Sequence, residues 1–187
     1  MPINVPTLLT WARIVLIPVV VGVYYIGLPI AEANLYATIA FVLAAVTDWF
    51  DGWLARKLNQ TSAFGAFLDP VADKLMVAAA LVVLVQLGRL DAILAFIIIG
   101  REITISALRE WMATIGAQRS VAVSMIGKLK TTAQMVAIPM LLYHDPLGIF
   151  GVHTAGVWLI WIAAVLTVWS MIYYMRKAWP EISRISG

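Results

Sequence analysis

A chain of 187 residues in which 63% are hydrophobic and only 12% charged departs from soluble domains, where about 45–50% and about 25% are usual. Its mean hydropathy of +0.93 is spread along the whole length, which excludes an ordinary water-soluble domain and leaves no room for a soluble head. The net charge of +3 comes without a basic run interleaved with aromatics, arguing against nucleic-acid binding, and zero cysteines remove disulfide scaffolds, thiolate metal sites and thiol nucleophiles.

A spanning helix needs about 20 apolar residues. Apolar runs at that scale fall near Leu8 to Ile26, Leu35 to Phe50, Val71 to Leu87, Ala92 to Met112, Met125 to Tyr143 and Thr154 to Tyr174. The expected fold is therefore an all-α integral membrane protein of six transmembrane helices, forming a single domain over residues 1–187. Met1-Pro2-Ile3-Asn4 lacks the basic stretch of a signal peptide, so the first run is expected to be a retained anchor. Gly27 and Pro29, the stretch Asn59 to Ser62, Gly88, Gly116, and Asp145, Pro146 and Gly148 punctuate the connectors. Arg56, Lys57, Arg119, Lys128, Lys130, Arg176, Lys177 and Arg184 fall on one side, against Arg89 alone in the connectors of the other. Positive charge accumulates on the cytoplasmic side, so both termini are expected there. Arg13, Lys74, Arg101 and Arg109 lie in or near the spans and need another reason. His144 and His153 flank the last external connector, away from any acid cluster, and carry no metal expectation.

The acids are concentrated. Asp48 and Asp51 are three residues apart and Asp69 and Asp73 four apart, so on helices each pair projects from one face, about one turn apart. A helix hairpin across one cytoplasmic connector would gather all four. An Asp at mid-membrane costs about 2.5–3.5 kcal/mol on insertion scales, and the four also repel one another, so cations must accompany them. Oxygen-only donors suit Mg²⁺ or Mn²⁺ rather than zinc, and two divalent ions match four carboxylates in formal charge. Gly52, Ala55 and Gly65 leave room for a ligand or for a neighbouring backbone; small-residue helix packing accounts for any one of them equally well. Asp69 before Pro70 also reads as a helix start, which leaves Asp73 and the first pair unexplained.

Written out, the stretch is D-x2-D-G-x2-A-R-x8-G-x3-D-x3-D, filled by Asp48, Asp51, Gly52, Ala55, Arg56, Gly65, Asp69 and Asp73. This pattern resembles the signature of the CDP-alcohol phosphatidyltransferase family. The segments from Asn4 to Arg13, Arg101 to Trp111 and Gly127 to Gln134 look most like bacterial members whose acceptor is glycerol 3-phosphate. The resemblance implies a bacterial inner-membrane enzyme, with its site facing the cytosol, that passes the phosphatidyl group of CDP-diacylglycerol to sn-glycerol 3-phosphate and releases CMP. It further implies metal ligation by Asp48, Asp51, Asp69 and Asp73, with Asp73 also the candidate base. Donor contacts are implied for Asn4, Thr10, Gly52, Ala55, Arg56 and Gly65, and assembly as a homodimer is expected.

An anionic acceptor gives the fourth and fifth spans a purpose. Arg101 and Arg109 are eight residues apart and fall within about 80° on a helix, while Lys128, Lys130 and Thr131 open the next span. Together they could bind the acceptor phosphate. The plainer alternative pairs Arg101 with Glu102 or Glu110 and leaves Lys128 and Lys130 as topology charges. The sixth span shows only apolar patterning. A sister enzyme using serine or inositol phosphate would share the acid signature; a divalent-cation transporter would explain a metal but not the Gly-Ala-Arg-Gly spacing. A structural adaptor leaves the charges without a reason.

Overall fold

The computed structural model describes residues 5–58, 63–117, 125–146 and 151–186, and within them the chain is all helix and connector. Six helices follow in order: α1 Val5–Gly22, α2 Ile30–Leu58, α3 Ala63–Gln86, α4 Ala92–Thr114, α5 Met125–Tyr143 and α6 Val152–Ser186. Every predicted apolar run lies largely on one of them. By length and composition Ile30–Asp48 and Val152–Arg184 are apolar enough to cross a membrane, and Leu8–Gly22 is a shorter apolar segment.

Three boundaries differ most from the sequence expectation. α2 does not stop at Phe50 but runs on to Leu58, so that Asp48 and Asp51 belong to a continuous helix. α3 begins at Ala63, with Pro70 inside it, so Asp69 is not the cap that starts the helix. Lacking an N–H, Pro70 cannot bond the carbonyl one turn back. α6 continues past Tyr174 to Ser186 because Tyr174 and Ala178 pack with Ile105, Leu108 and Met112 of α4, with Ile182 beside them. At 35 residues and 1.5 Å per residue it is about 52 Å long, more than the roughly 30 Å of a hydrocarbon core.

Packing follows small residues. Ala33, Ala37, Ala40 and Ala44 recur on one face of α2 and are buried, which lets neighbouring backbones approach as in membrane helix bundles. Val20, Phe41, Ala80, Leu84, Ile98, Ile138, Leu141 and Ala164 join all six helices in one core. Gly156 of α6 lies so close to α5 that a Cβ would meet Leu141 at 3.1 Å and Met140 at 3.2 Å. Outward, Val15, Val46, Val82, Phe96 and Val165 are exposed, the inverse of a water-facing surface and suited to lipid.

The connectors are closed by backbone geometry that only glycine adopts easily. Gly88 (φ 67°) ends α3 and Gly116 (φ 75°) ends α4. In each case the following N–H reaches five residues back, Arg89 to Leu84 at 2.9 Å and Ala117 to Met112 at 2.8 Å, which satisfies carbonyls the helix end leaves open. Asp91 then caps α4, accepting from the Ile93 N–H at 2.8 Å. His144 leaves α5 with φ 64°, its ring edge-on to His153 with centroids 4.5 Å apart. Burial, with Arg89 and His153 adding to it, pushes the His144 imidazole below the usual histidine range.

Arg89, the lone cation expected on the outer side, is a latch. Its Nη1 donates to the Leu141 and Leu142 carbonyls at 3.2 and 2.7 Å and its Nη2 to Asn34 Oδ1 at 2.8 Å, joining the α3–α4 connector to α5 and α2. A charged hydrogen bond is worth about 1.5–3 kcal/mol, so Arg89→Met is expected to lose that much stability in detergent. Thermal unfolding should register the loss, while the activity of the folded fraction stays unchanged.

Candidate active site

The acid pairs expected to form a hairpin lie on α2 and α3, and α1 lies against both. α1 supplies the partners. Arg13 of α1, 1% exposed, places Nη1 2.8 Å from Asp48 Oδ1. Thr10, one turn earlier and also buried, donates its hydroxyl to Asp69 Oδ1. Each contact engages one carboxylate oxygen. The buried cation Arg13 thus has its reason: it offsets carboxylate charge where α1 meets α2. The Thr10 hydroxyl, expected to face a donor nucleotide, is engaged with Asp69.

Asp73 faces the other way. It lines a cavity of about 190 Å³ together with Lys74, Arg101, Glu102, Ser106, Arg109 and Thr131, with Gly127 and Ile105 completing the wall. An adjoining smaller cavity is also lined by Asp73, Lys74, Glu102 and Thr131, with Gln134. Asp73 remains within electrostatic reach of Asp48 and Arg13 as well as of Lys74 and Lys130, so it stands between the acid hairpin and the cationic cavity. Neither cavity is lined by Asp48 or Asp69.

The cationic cavity is held by α3, α4, α5 and, at its back, α6. Arg101 is buried and its Nη2 donates to Ser170 Oγ at 3.0 Å. Its Nη1 lies 3.7 Å from Glu102, whose carboxylate also pairs closely with the buried Lys130. The pairing of Arg101 with Glu102, set out as the plainer alternative, thus exists, yet Arg101 lines the cavity all the same. The Nε atoms of Arg101 and Arg109 are buried without a hydrogen-bond partner. Lys74 donates to the Pro70 carbonyl at 3.0 Å and turns toward the same space.

The structure therefore brings together Asp73, Arg101, Arg109 and Thr131 from the expected set. Lys130 is committed to Glu102, and Lys128 is exposed and does not line the cavity. Gly65 is buried near the start of α3. Asn4 and the side chains of Asp51, Ala55 and Arg56, together with Gly52, lie outside the described residues. Among the described residues no three carboxylates or imidazoles stand as a ready metal-ligand group. Sequence reasoning raised Lys74 as a charge needing a reason and Glu102 as a partner for Arg101 but put neither in the site, nor did it put Ser170 or Tyr174 there. The signal for the last two was present: Thr167, Ser170 and Tyr174 recur at helical spacing in a segment otherwise read as apolar.

Comparison with known proteins supplies the context. A family model described as CDP-alcohol phosphatidyltransferase matches residues 3–169. A protein of Escherichia coli (strain K12) is 52% identical over 184 residues, 97% of this chain and 98% of its own length. Proteins of Salmonella choleraesuis and Salmonella typhimurium are 52% identical over 180 residues, 95% of this chain and 96% of their own. All three carry the name CDP-diacylglycerol--glycerol-3-phosphate 3-phosphatidyltransferase.

Proposed function

The chain belongs to the CDP-alcohol phosphatidyltransferase family, and we propose that its acid hairpin and cationic cavity form one active site for donor and acceptor. It is a phosphatidyltransferase of phospholipid biosynthesis that moves the phosphatidyl group of CDP-diacylglycerol to glycerol 3-phosphate and releases CMP. The observation that carries the site assignment is Asp73, which among the described acids of the signature is the one lining the cavity that bears Arg101 and Arg109.

In this reading the acceptor phosphate sits against Arg101, Arg109 and Thr131, with Lys128 and Lys130 adding positive charge from α5. Arg109 and Arg101 attract the dianion into a low-dielectric pocket, where each charge–charge contact is stronger than in water. That placement directs the sn-1 hydroxyl of glycerol 3-phosphate toward Asp73. The hydroxyl oxygen attacks the phosphorus that carries diacylglycerol, the bond to CMP breaks, and Asp73 takes the hydroxyl proton. Holding both reactants in line supplies much of the acceleration in phosphoryl-type displacement.

Enzymes of this family work with divalent metal, and the donor set here fits: carboxylates without cysteine or histidine favour hard cations such as Mg²⁺ or Mn²⁺. Asp48, Asp51, Asp69 and Asp73 would hold it, two ions matching their four charges. Bound there, it would neutralise the diphosphate and the departing CMP. Arg13 by its ion pair and Thr10 by its hydrogen bond orient Asp48 and Asp69, as outer partners do around ligating carboxylates. Asn4, Thr10, Gly52, Ala55, Arg56 and Gly65 frame the donor end.

The exposed apolar surface and the family support six spans in a bacterial inner membrane, with both termini and the site on the cytosolic side and the chain as one domain. A homodimer is part of the same reading. Cation transport is set aside, because the relatives and the eight-position signature both specify transfer chemistry. CMP release from CDP-diacylglycerol by the purified protein is expected with Mg²⁺ or Mn²⁺ and glycerol 3-phosphate, and to stop with chelator. Serine or inositol phosphate supporting release equally well would overturn the acceptor assignment.

A further inference from the structure

We propose that Tyr174 and Ser170 of α6 are positioning residues for the acceptor phosphate, holding the guanidinium groups of Arg101 and Arg109 in place without neutralising them. The inference rests on the reading above, in which those two arginines receive glycerol 3-phosphate. Tyr174 is completely buried. Its ring centroid is 5.0 Å from the Arg109 guanidinium carbon and 5.7 Å from that of Arg101, so one aromatic ring serves both cations. Ser170, also fully buried, accepts from Arg101 Nη2 at 3.0 Å. Its own proton is donated to the Thr167 carbonyl at 3.0 Å, which fixes the hydroxyl with an acceptor lone pair toward the arginine.

The choice of partners carries the chemistry. Two arginines around one cavity repel, and something must hold them. A carboxylate would do so by cancelling the charge that an incoming phosphate needs. The face of an aromatic ring attracts a cation through its quadrupole and has no net charge, and a hydroxyl lone pair does the same through a dipole. The acid beside Arg101, Glu102, is shared with Lys130. Both arginines line the cavity, so the positive charge stays available to a ligand. α6 is thus part of the active site, although none of its residues belongs to the family signature.

The test uses the full-length protein in detergent with metal saturating, reading KM for each substrate, kcat and thermal unfolding. A desolvated cation–π contact corresponds to about thirtyfold in an equilibrium, so Tyr174→Leu is expected to raise KM for glycerol 3-phosphate about ten- to thirtyfold. KM for CDP-diacylglycerol should not move. Tyr174→Phe keeps the ring and is expected to keep the wild-type acceptor KM; Ser170→Ala should raise it about three- to tenfold, the range of one ordinary hydrogen bond. Equal losses in Leu and Phe variants, or parallel rises for both substrates, would overturn the inference. If Tyr174→Leu does not fold, an unchanged acceptor KM in Ser170→Ala overturns it instead. Arg109→Ala separates the two levels. A raised acceptor KM there with no effect in the α6 variants sinks only the positioning role, whereas an unchanged value sinks the phosphate pocket itself.

Discussion

Asp73→Asn is expected to lower CMP release by about 10²- to 10⁴-fold, the range associated with loss of a positioned acid–base group, while the protein stays folded. Asparagine preserves the volume and one oxygen, but it cannot take the hydroxyl proton and ligates a divalent cation poorly. Asp73 lines the cavity beside Arg101 and Arg109, whereas Asp48 and Asp69 are held by α1. The proposed division of labour therefore predicts a split outcome. Binding of CDP-diacylglycerol should survive in Asp73→Asn and transfer should not. In Asp69→Asn, donor binding and transfer should fall together. Measuring donor binding and CMP release on both variants checks this; loss of donor binding in Asp73→Asn would make Asp73 chiefly a ligand rather than the base.

How much of this could be read from the chain follows from what each feature depends on. Apolar runs reveal helices because one periodic pattern suffices, so α5 matches its predicted limits, Met125 and Tyr143. Helix ends beyond the apolar run depend on tertiary partners. α6 extends because Ala178 and Ile182 find α4, a contact that no local pattern encodes. The acid signature was legible because its spacing is fixed within two adjacent helices. The partners of those acids were not, since Thr10 lies 59 residues from Asp69 and Arg101 69 residues from Ser170. Arg13 could be flagged as a charge without a reason, but only packing shows that the reason is Asp48. The pocket shows the same limit. Arg101 and Arg109 share a face by helical spacing, whereas Lys128 and Lys130 sit two residues apart and point to different places, one exposed and one buried against Glu102.

Arg13→Met should weaken the apparent affinity for Mg²⁺ or Mn²⁺ by about 10- to 100-fold, the usual consequence of removing a group that orients a metal ligand. Two effects oppose one another here. Removing a cation from a cluster of carboxylates raises the local negative potential, which alone would strengthen metal binding. Removing the ion pair with Asp48 frees that side chain to leave the ligating geometry. The burial of the pair decides between them: Arg13 is 1% exposed but the Asp48 side chain is 41% exposed, so water screens the charge term, while the loss of orientation is not screened. The same exposure moderates the stability penalty. Removing one partner of a fully buried pair costs about 3–5 kcal/mol, and a half-solvated Asp48 should bring that to about 1–2 kcal/mol, recovered in part when metal is added. Arg13→Lys keeps the charge and loses the planar donor fork, so it separates the two terms. A metal titration of CMP release should place Arg13→Lys near Arg13→Met if orientation dominates. If Lys instead restores the wild-type midpoint, Arg13 acts as a counter-charge and its geometry is incidental.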